Sequence, residues 1–408
     1  MRLLCLSNGH GEDTIAIRIL QALQQHPECP QIEALPIVGE GHAYRDASIP
    51  LIGSVKLMPS GGFVYMDNRQ LVRDLQGGLA QLTIAQIKAI RSWAQQDGFI
   101  LAVGDIVPML FAWISGAPFA FVATAKSEYY LRDENGWLPR KSWWDDRLER
   151  STECVFQPWE RWLMTRPNCK AVFPRDRITA QTLKRFGVPA FDLGNPMMDG
   201  LISDRAPDES QFSIVLIPGS RTPEAYANFE IILQSLEGLI GQFDRSIHFL
   251  AAIAPGLDVT EFDTALINHR WKLLDANTYK TGFGNKQATL TLMIGRFAEC
   301  IQTAEIAIAM AGTATEQFVG LGKPAITIPG AGAQFTPAFA EAQTRLLGNS
   351  VTLVEQPQHV AAAMRSLLSD PDRLSAIALN GQRRMGEPGA SARIADYLMK
   401  IGRNSISS

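Results

Sequence analysis

Ser213-Ile214-Val215-Leu216-Ile217-Pro218-Gly219-Ser220-Arg221 is the stretch that decides how this chain is built. Ile214 to Ile217 form a short apolar run rich in β-branched side chains, the signature of a strand buried on both faces. Pro218 and Gly219 stop it in a tight turn that extends to Thr222. Ala225–Ile240 then carries the spacing of an amphipathic helix. The same order opens the chain. Arg2–Ser7 reads as a strand, a Gly-containing turn follows, and Asp13–Gln25 reads as a helix with Ile15, Ile19, Leu20 and Leu23 on one face.

Working outward, strands are expected at Gln31–Val38, Phe99–Val103, Phe119–Val122 and Ala171–Pro174, with helical patterns at Asn68–Leu82 and Ile84–Gln95. After residue 213 the strands are Ser246–Ala252, Thr289–Ile294, Ile306–Ala309 and Ala325–Ile328. Helices are expected at Phe297–Thr303 and Thr315–Leu321, and the tail from Pro357 is helical, ending with Ala392–Ile401. Strands alternating with helices imply a parallel sheet covered on both faces, with right-handed crossovers. The fold class expected is therefore α/β, two Rossmann-like, doubly wound domains. The first spans 1–200 and the second 211–385, joined by the polar segment Leu201–Gln211, with a helix and tail at 386–408.

The chain has 408 residues, too many for one ordinary core, with 46% hydrophobic and 19% charged residues. A formal net charge of -3 argues against nucleic acid as the partner, because binding phosphate backbones needs a basic excess. The five cysteines Cys5, Cys29, Cys154, Cys169 and Cys300 are scattered with no CxxC pair, which suits a reducing compartment rather than a disulfide framework or zinc site. Met1-Arg2 leads straight into a strand, so no signal peptide is expected. Residues 99–125 are apolar but contain Asp105, Pro108, Gly116 and Pro118, so strand, turn, helix and strand are expected there rather than a membrane span. These points predict a cytoplasmic protein.

One segment breaks the rhythm. Residues 129–167 hold Trp137, Trp143, Trp144, Trp159 and Trp162, interleaved with basic residues such as Arg140, Arg161 and Arg166. An insertion with its own small core is the plainer reading. An amphipathic surface at the inner face of a membrane is the sharper one, since Trp and Arg both suit the headgroup zone. The acids Asp145, Asp146, Glu149, Glu153 and Glu160 weigh against it.

The turns that follow the strands carry the chemistry, because ligands of doubly wound sheets sit at the carboxyl ends of the strands. Asn8-Gly9-His10-Gly11-Glu12-Asp13 follows the first strand, either as a ligand loop in which His10 stands out or as a plain strand-to-helix turn. It lacks the full GxGxxG of a dinucleotide binder, which disfavours a dehydrogenase. Asp105, ending the strand 99–103, reads either as a general base or partner of His10, or as a cap on Pro108–Ile114. In Gly219-Ser220-Arg221 with Glu224, the small residues allow close backbone approach and Arg221 suits a diphosphate; a plain turn with a solvated arginine is the alternative. Gly312-Thr313-Ala314-Thr315-Glu316 offers a helix N-terminus for phosphate and a carboxylate for ribose hydroxyls, or a capping box between Thr313 and Glu316. Gln334, in the Gly-rich loop 329–336, reads as a contact for sugar hydroxyls, with a plain surface loop the alternative. No acidic pair is spaced to hold a metal at a diphosphate, so a metal-free site is expected.

Taken in order, these stretches resemble the lipid-A-disaccharide synthase-related proteins, relatives of lipid-A-disaccharide synthase among the GT-B glycosyltransferases. The residues are Asn8-Gly9-His10-Gly11-Glu12-Asp13, Pro59-Ser60-Gly61-Gly62-Phe63, Val103-Gly104-Asp105, Gly194-Asn195-Pro196-Met197-Met198-Asp199, Pro218-Gly219-Ser220-Arg221 with Glu224, Gly312-Thr313-Ala314-Thr315-Glu316 and Met385-Gly386-Glu387-Pro388-Gly389-Ala390. The resemblance implies a GT-B fold, two facing domains with a cleft between them, and an inverting, metal-independent hexosyltransferase. It implies no cofactor, a UDP-sugar being the substrate. The second domain would bind the donor through Arg221 and Thr313 at the diphosphate and Glu316 at the ribose. The first domain would bind a sugar or lipid-linked acceptor, with Asn8, Gly9, Gly11, Ser60, Gly61 and Gly62 on that side and Asp105 as base. The chain departs from the synthase at His10, where small residues are the pattern, and a histidine in that loop is functional in the GT-B branch that makes the peptidoglycan lipid precursor. The base is thus Asp105 or His10. A UDP-sugar 2-epimerase or hydrolase of the same fold, or a non-catalytic nucleotide-sugar-binding protein, are the alternatives.

Overall fold

The structure, a computed structural model, describes residues 1–55, 79–139, 152–201, 211–240, 246–283, 286–330, 332 and 335–406. The chain divides into two compact units, Met1–Asp199 with Glu387–Ser408, and Gly200–Gly386.

In the first unit the elements run β1 (Arg2–Ser7), α1 (His10–Gln24), β2 (Gln31–Pro36), α2 (His42–Asp46), α3 (Leu79–Ala94), β3 (Phe99–Gly104), α4 (Ile106–Ser115) and β4 (Phe119–Ala123). They continue with the two-residue strands β5 (Arg132–Asp133) and β6 (Gly136–Trp137), α5 (Pro158–Met164), β7 (Cys169–Pro174) and α6 (Arg177–Arg185). The main sheet has the order β2-β1-β3-β4-β7 and every pairing in it is parallel. Alternate side chains serve opposite faces, as strand geometry requires. Leu4, Leu6, Ile100, Ala102, Phe119 and Phe121 pack under α3, α4, α5 and α6, while Leu3, Cys5, Phe99, Leu101, Val103 and Val122 pack under α1 and the last helix of the chain.

The second unit runs β8 (Phe212–Ile217), α7 (Glu224–Leu236), β9 (Ile247–Ile253), α8 (Val259–Asn268), β10 (Lys272–Asp275), β11 (Thr278–Phe283), β12 (Lys286–Ile294) and α9 (Phe297–Thr303). It continues with β13 (Ile306–Ala309), α10 (Thr313–Gly320), β14 (Ala325–Thr327), α11 (Pro337–Leu347), β15 (Val351–Leu353), α12 (Val360–Leu368) and α13 (Pro371–Met385). Its sheet order is β10-β11-β12-β9-β8-β13-β14-β15. It is parallel from β12 to β15, and β10 and β11 extend it as an antiparallel arm.

The last helix, α14 (Ala390–Ile406), belongs to the first unit and lies on α1. Ile394, Ala395, Leu398 and Met399 are all buried there. Asp199 receives its first turn, accepting from the amides of Gly389 (2.5 Å), Ala390 (3.2 Å) and Ser391 (2.7 Å).

Several boundaries differ from the sequence reading. The first helix begins at His10, three residues before the expected Asp13, because Gly9 at φ 121 lets the chain enter the helix at once. The strand expected to reach Val38 ends at Pro36. The helix expected over 84–95 starts at Leu79, and most of the one expected over 68–82 lies outside the described residues. Of the tryptophan segment, Trp143 and Trp144 also lie outside them. Trp162 is edge-on to Trp113 at 5.5 Å with Arg166 over its ring, whereas Trp159 is 60% exposed. Glu160, counted in the sequence reading as a diluting charge, is turned inward onto Lys126.

Candidate functional site

In each sheet the strand order reverses once. In the first the chain leaves β1 to β2 on one side and returns to β3 on the other; in the second β8 is flanked by β9 and β13. Such a switch point leaves a crevice at the carboxyl ends of the two strands, the usual ligand position of doubly wound sheets. Register carries Ser7 beside Val103 and Gly104 beside Ala123 in the first unit, and Ile217 beside Ala309 in the second.

At the first crevice the structure brings together Asn8, Glu12, Gly104 and Asp105. Asp105 is the N-cap of α4, its carboxylate accepting from the Val107 amide at 2.8 Å. The capping role is therefore present, at the carboxyl edge of β3. Its other oxygen accepts from Asn8 Nδ2 at 3.2 Å. Burial raises its pKa above the usual carboxylate value, against the pull of the Val107 amide and the Asn8 amide. Gly104 has φ 131, and a Cβ there would lie 3.1 Å from Glu12 Cγ and 3.6 Å from Asn8 Cβ. Glycine is what lets the Glu12 and Asn8 side chains close over the end of β3.

Glu12 is the residue the sequence reading passed over. Its pKa is pushed up to about 7, first by burial and then by the charges of Asp105 and Asp13, against its own amide and the Thr124 hydroxyl. Its spacing, one turn into a helix that starts at a glycine after a strand, was the available signal. Asp13 points the other way: it accepts from Ser7 Oγ at 2.5 Å, which itself accepts from Tyr44 Oη at 2.6 Å in the core. Beyond Asp105 stand Lys126 and its ion-pair partner Glu160. Gly9 caps α1, His10 is its first residue, and Gly11 is exposed with open space where a Cβ would go. Ser60, Gly61 and Gly62 lie outside the described residues.

At the second crevice Gly219, with φ 106, sits so that a Cβ would come within 3.6 Å of the Met310 carbonyl. Ser220 and Arg221 are exposed at the strand edge. Gly312 is the N-cap of α10 and no side chain caps that helix. The capping box expected between Thr313 and Glu316 is therefore absent: Thr313 is already the first helical residue, so its hydroxyl is not at the capping position. Thr313 is exposed and Ala314 half-buried. The buried Thr315 donates its hydroxyl to the Ala311 carbonyl at 2.6 Å, and Glu316 is only 7% exposed. Glu224, at the start of α7, accepts from the Phe335 amide at 2.7 Å and so fastens the Gly-rich loop; Gln334 in that loop lies outside the described residues.

Asn228 ties the second crevice together. It is 2% exposed and donates to the carbonyls of Pro218 (2.9 Å) and Met310 (3.3 Å), one from each strand-end loop. A Cβ on Gly330 would come within 2.9 Å of its Oδ1, so the third loop rests on the same side chain. Gln343 supports the second loop from behind, donating to Ala311 (2.9 Å) and Gly312 (3.3 Å). Both were legible as polar residues on apolar stripes, Asn228 with Ala225, Phe229 and Ile232, and Gln343 with Ala340, Leu346 and Leu347. Among the described residues no group of three or more His, Cys, Asp and Glu is placed to hold a metal ion, and no helix is long and apolar enough to cross a membrane.

No family model and no curated protein matches the chain. Solved structures do share its fold at low identity. The S. aureus MnaA-UDP co-structure matches with TM-score 0.58 and 14% identity over 100% of this chain and 98% of that one. UDP-GlcNAc 2-epimerase from Neisseria meningitidis bound to UDP-GlcNAc matches with TM-score 0.56 and 15% identity over 98% and 100%. MurG from Acinetobacter baumannii matches with TM-score 0.54 and 16% identity over 98% and 99%. The fold shared with them is thus two Rossmann-like α/β domains with parallel sheets. The likeness is one of fold and does not reach the resemblance to lipid-A-disaccharide synthase relatives.

Proposed function

We propose that this chain is an enzyme acting on a UDP-sugar. The nucleotide diphosphate is held at the carboxyl edge of β8 and β13, and proton transfer is carried by the carboxyl groups at the carboxyl edge of β1 and β3. The observation that carries this reading is the coincidence of position: Asn8, Glu12 and Asp105 in one unit, and Gly219, Arg221, Gly312 and Thr313 in the other, all cluster where a sheet reverses its strand order. The UDP and UDP-GlcNAc named with the fold's neighbours suggest the nucleotide.

In the roles proposed, Arg221 and the start of α10 meet the negative charge that grows on the leaving diphosphate. Glu316 accepts from the ribose hydroxyls. Epimerisation of the sugar at C2 is the leading reaction, supported by the UDP-GlcNAc 2-epimerases that share the fold. Metal-independent, inverting transfer to an acceptor hydroxyl is the second, supported by Pro218-Gly219-Ser220-Arg221 and the later Gly312-Thr313-Ala314-Thr315-Glu316.

The test begins with thermal unfolding against nucleotides and nucleotide sugars. A ligand bound only by the folded state at 100 times its Kd adds about 2.7 kcal/mol to stability. A shift with UDP species is expected, and its absence for all of them defeats the reading. Incubation with UDP-GlcNAc alone then separates the two reactions: a 2-epimer appears without acceptor if the first is right, and the nucleotide sugar stays unchanged until an acceptor is added if the second is.

A further inference from the structure

Resting on the UDP-sugar reading above, we propose that Glu12 is the catalytic residue that carries the proton in the first unit, with Asp105 the fixed anion beside it. The two carboxyl groups are placed for different work. Both Asp105 oxygens have donors, the Val107 amide at 2.8 Å on one and Asn8 Nδ2 at 3.2 Å on the other. Those bonds favour the ionised form and fix its direction, and taking up a proton would loosen the cap of α4. Glu12 stands opposite, in the first turn of α1 and only part-buried, with its Cγ where Gly104 leaves room for it.

The groups around Glu12 all bear on its proton. From β3 and α4 comes Asp105, from its own helix Asp13, and from the end of β4 the Thr124 hydroxyl. The charges of Lys126 and Glu160 act on Asp105. They are paired with each other and largely cancel at a distance. Two like charges at one part-buried edge disfavour a second full ionisation, and the loss falls on the partner whose ionised form does not cap a helix. That partner is Glu12, whose pKa of about 7 lies where a general base or acid works best at neutral pH.

The step balances in either reaction. The Glu12 carboxylate takes one proton from the substrate as the bond between sugar C1 and the diphosphate oxygen breaks, and that electron pair leaves on UDP. In transfer the proton comes from the acceptor hydroxyl, whose oxygen forms the new bond to C1. In epimerisation it comes from C2, and the C2–H pair becomes the C1–C2 double bond.

The test uses the full chain labelled with carboxyl-¹³C glutamate, Glu12→Gln identifying the resonance. Its titration midpoint is expected near the 7 inferred above and should fall in Asp105→Asn. With UDP-GlcNAc as substrate, Glu12→Gln should lower kcat by about 100-fold or more while the Kd for UDP stays within about twofold. The pH–rate profile should lose its acid limb in the same variant. A Glu12→Gln enzyme within about threefold of the parent, or a Glu12 carboxyl titrating at the ordinary value of 4.5, overturns the proposal. A parent chain that fails to bind UDP defeats the reading of the second unit instead, and the titration still decides whether Glu12 keeps its proton near neutrality.

Discussion

At the scale of single residues, the informative positions are polar side chains set where apolar ones would be simpler. Asn228 spends its amide on two carbonyls of different loops, so its loss leaves both buried and unpaired. Asn228→Ala should cost about 1–3 kcal/mol in urea unfolding and weaken UDP binding without touching the ligand itself. Glu12 gives the molecule a pH dependence of definite sign. Its folded pKa of about 7 exceeds the ordinary glutamate value of 4.5, so the native state holds the proton more tightly than the unfolded chain does. Its contribution is fully present below pH 4.5 and is lost as pH rises to about 7. Glu12→Gln should therefore gain stability over the parent at pH 8 and show no gain at pH 4, as denaturant curves at both values would reveal. The sequence named Asp105 and Arg221 by their positions after strands, but the division of labour between two carboxyls depends on which donors each one meets. That depends on contacts made by residues 90 positions apart or more, such as Asn8 with Asp105, and is not written locally.

At the scale of elements, the parallel strands were legible because each is a short apolar run between turn residues. What escaped notice lacked that contrast. Lys272–Asp275 is exposed throughout, and Thr278–Phe283 mixes Thr, Lys and Gly, so neither strand of the antiparallel arm stands out. Val351–Leu353 is only three residues long. The Thr313–Glu316 spacing fitted a capping box, yet Gly312 took the cap and moved Glu316 one position deeper into the helix. Asp105 shows the opposite outcome, a cap whose second oxygen also accepts from Asn8. Asp105→Ala should remove both roles, with about 0.5–2 kcal/mol lost from unfolding stability. Asp105→Asn keeps an acceptor for the Val107 amide and removes only the charge, so it should unfold near the parent's midpoint while turning over more slowly.

At the scale of the whole molecule, the chain crosses from one unit to the other at 199–200 and returns at 386–387. Both crossings are tied to the first unit. Asp199 holds the amides of 389–391, and Arg393 donates to the carbonyls of Leu193 at 2.8 Å, Glu387 at 3.1 Å and Pro388 at 3.0 Å. Asp199→Ala should free those three amides, visible as faster hydrogen exchange at 389–391 with the strands of the first sheet still protected.

The position of α14 also sets an order of events during synthesis. The whole of Gly200–Gly386 leaves the ribosome before the helix that covers one face of the first sheet. The nascent chain can thus complete its second unit while Leu3, Ile19 and Phe173 still await Ile394 and Leu398. The half of the protein made first is the half finished last.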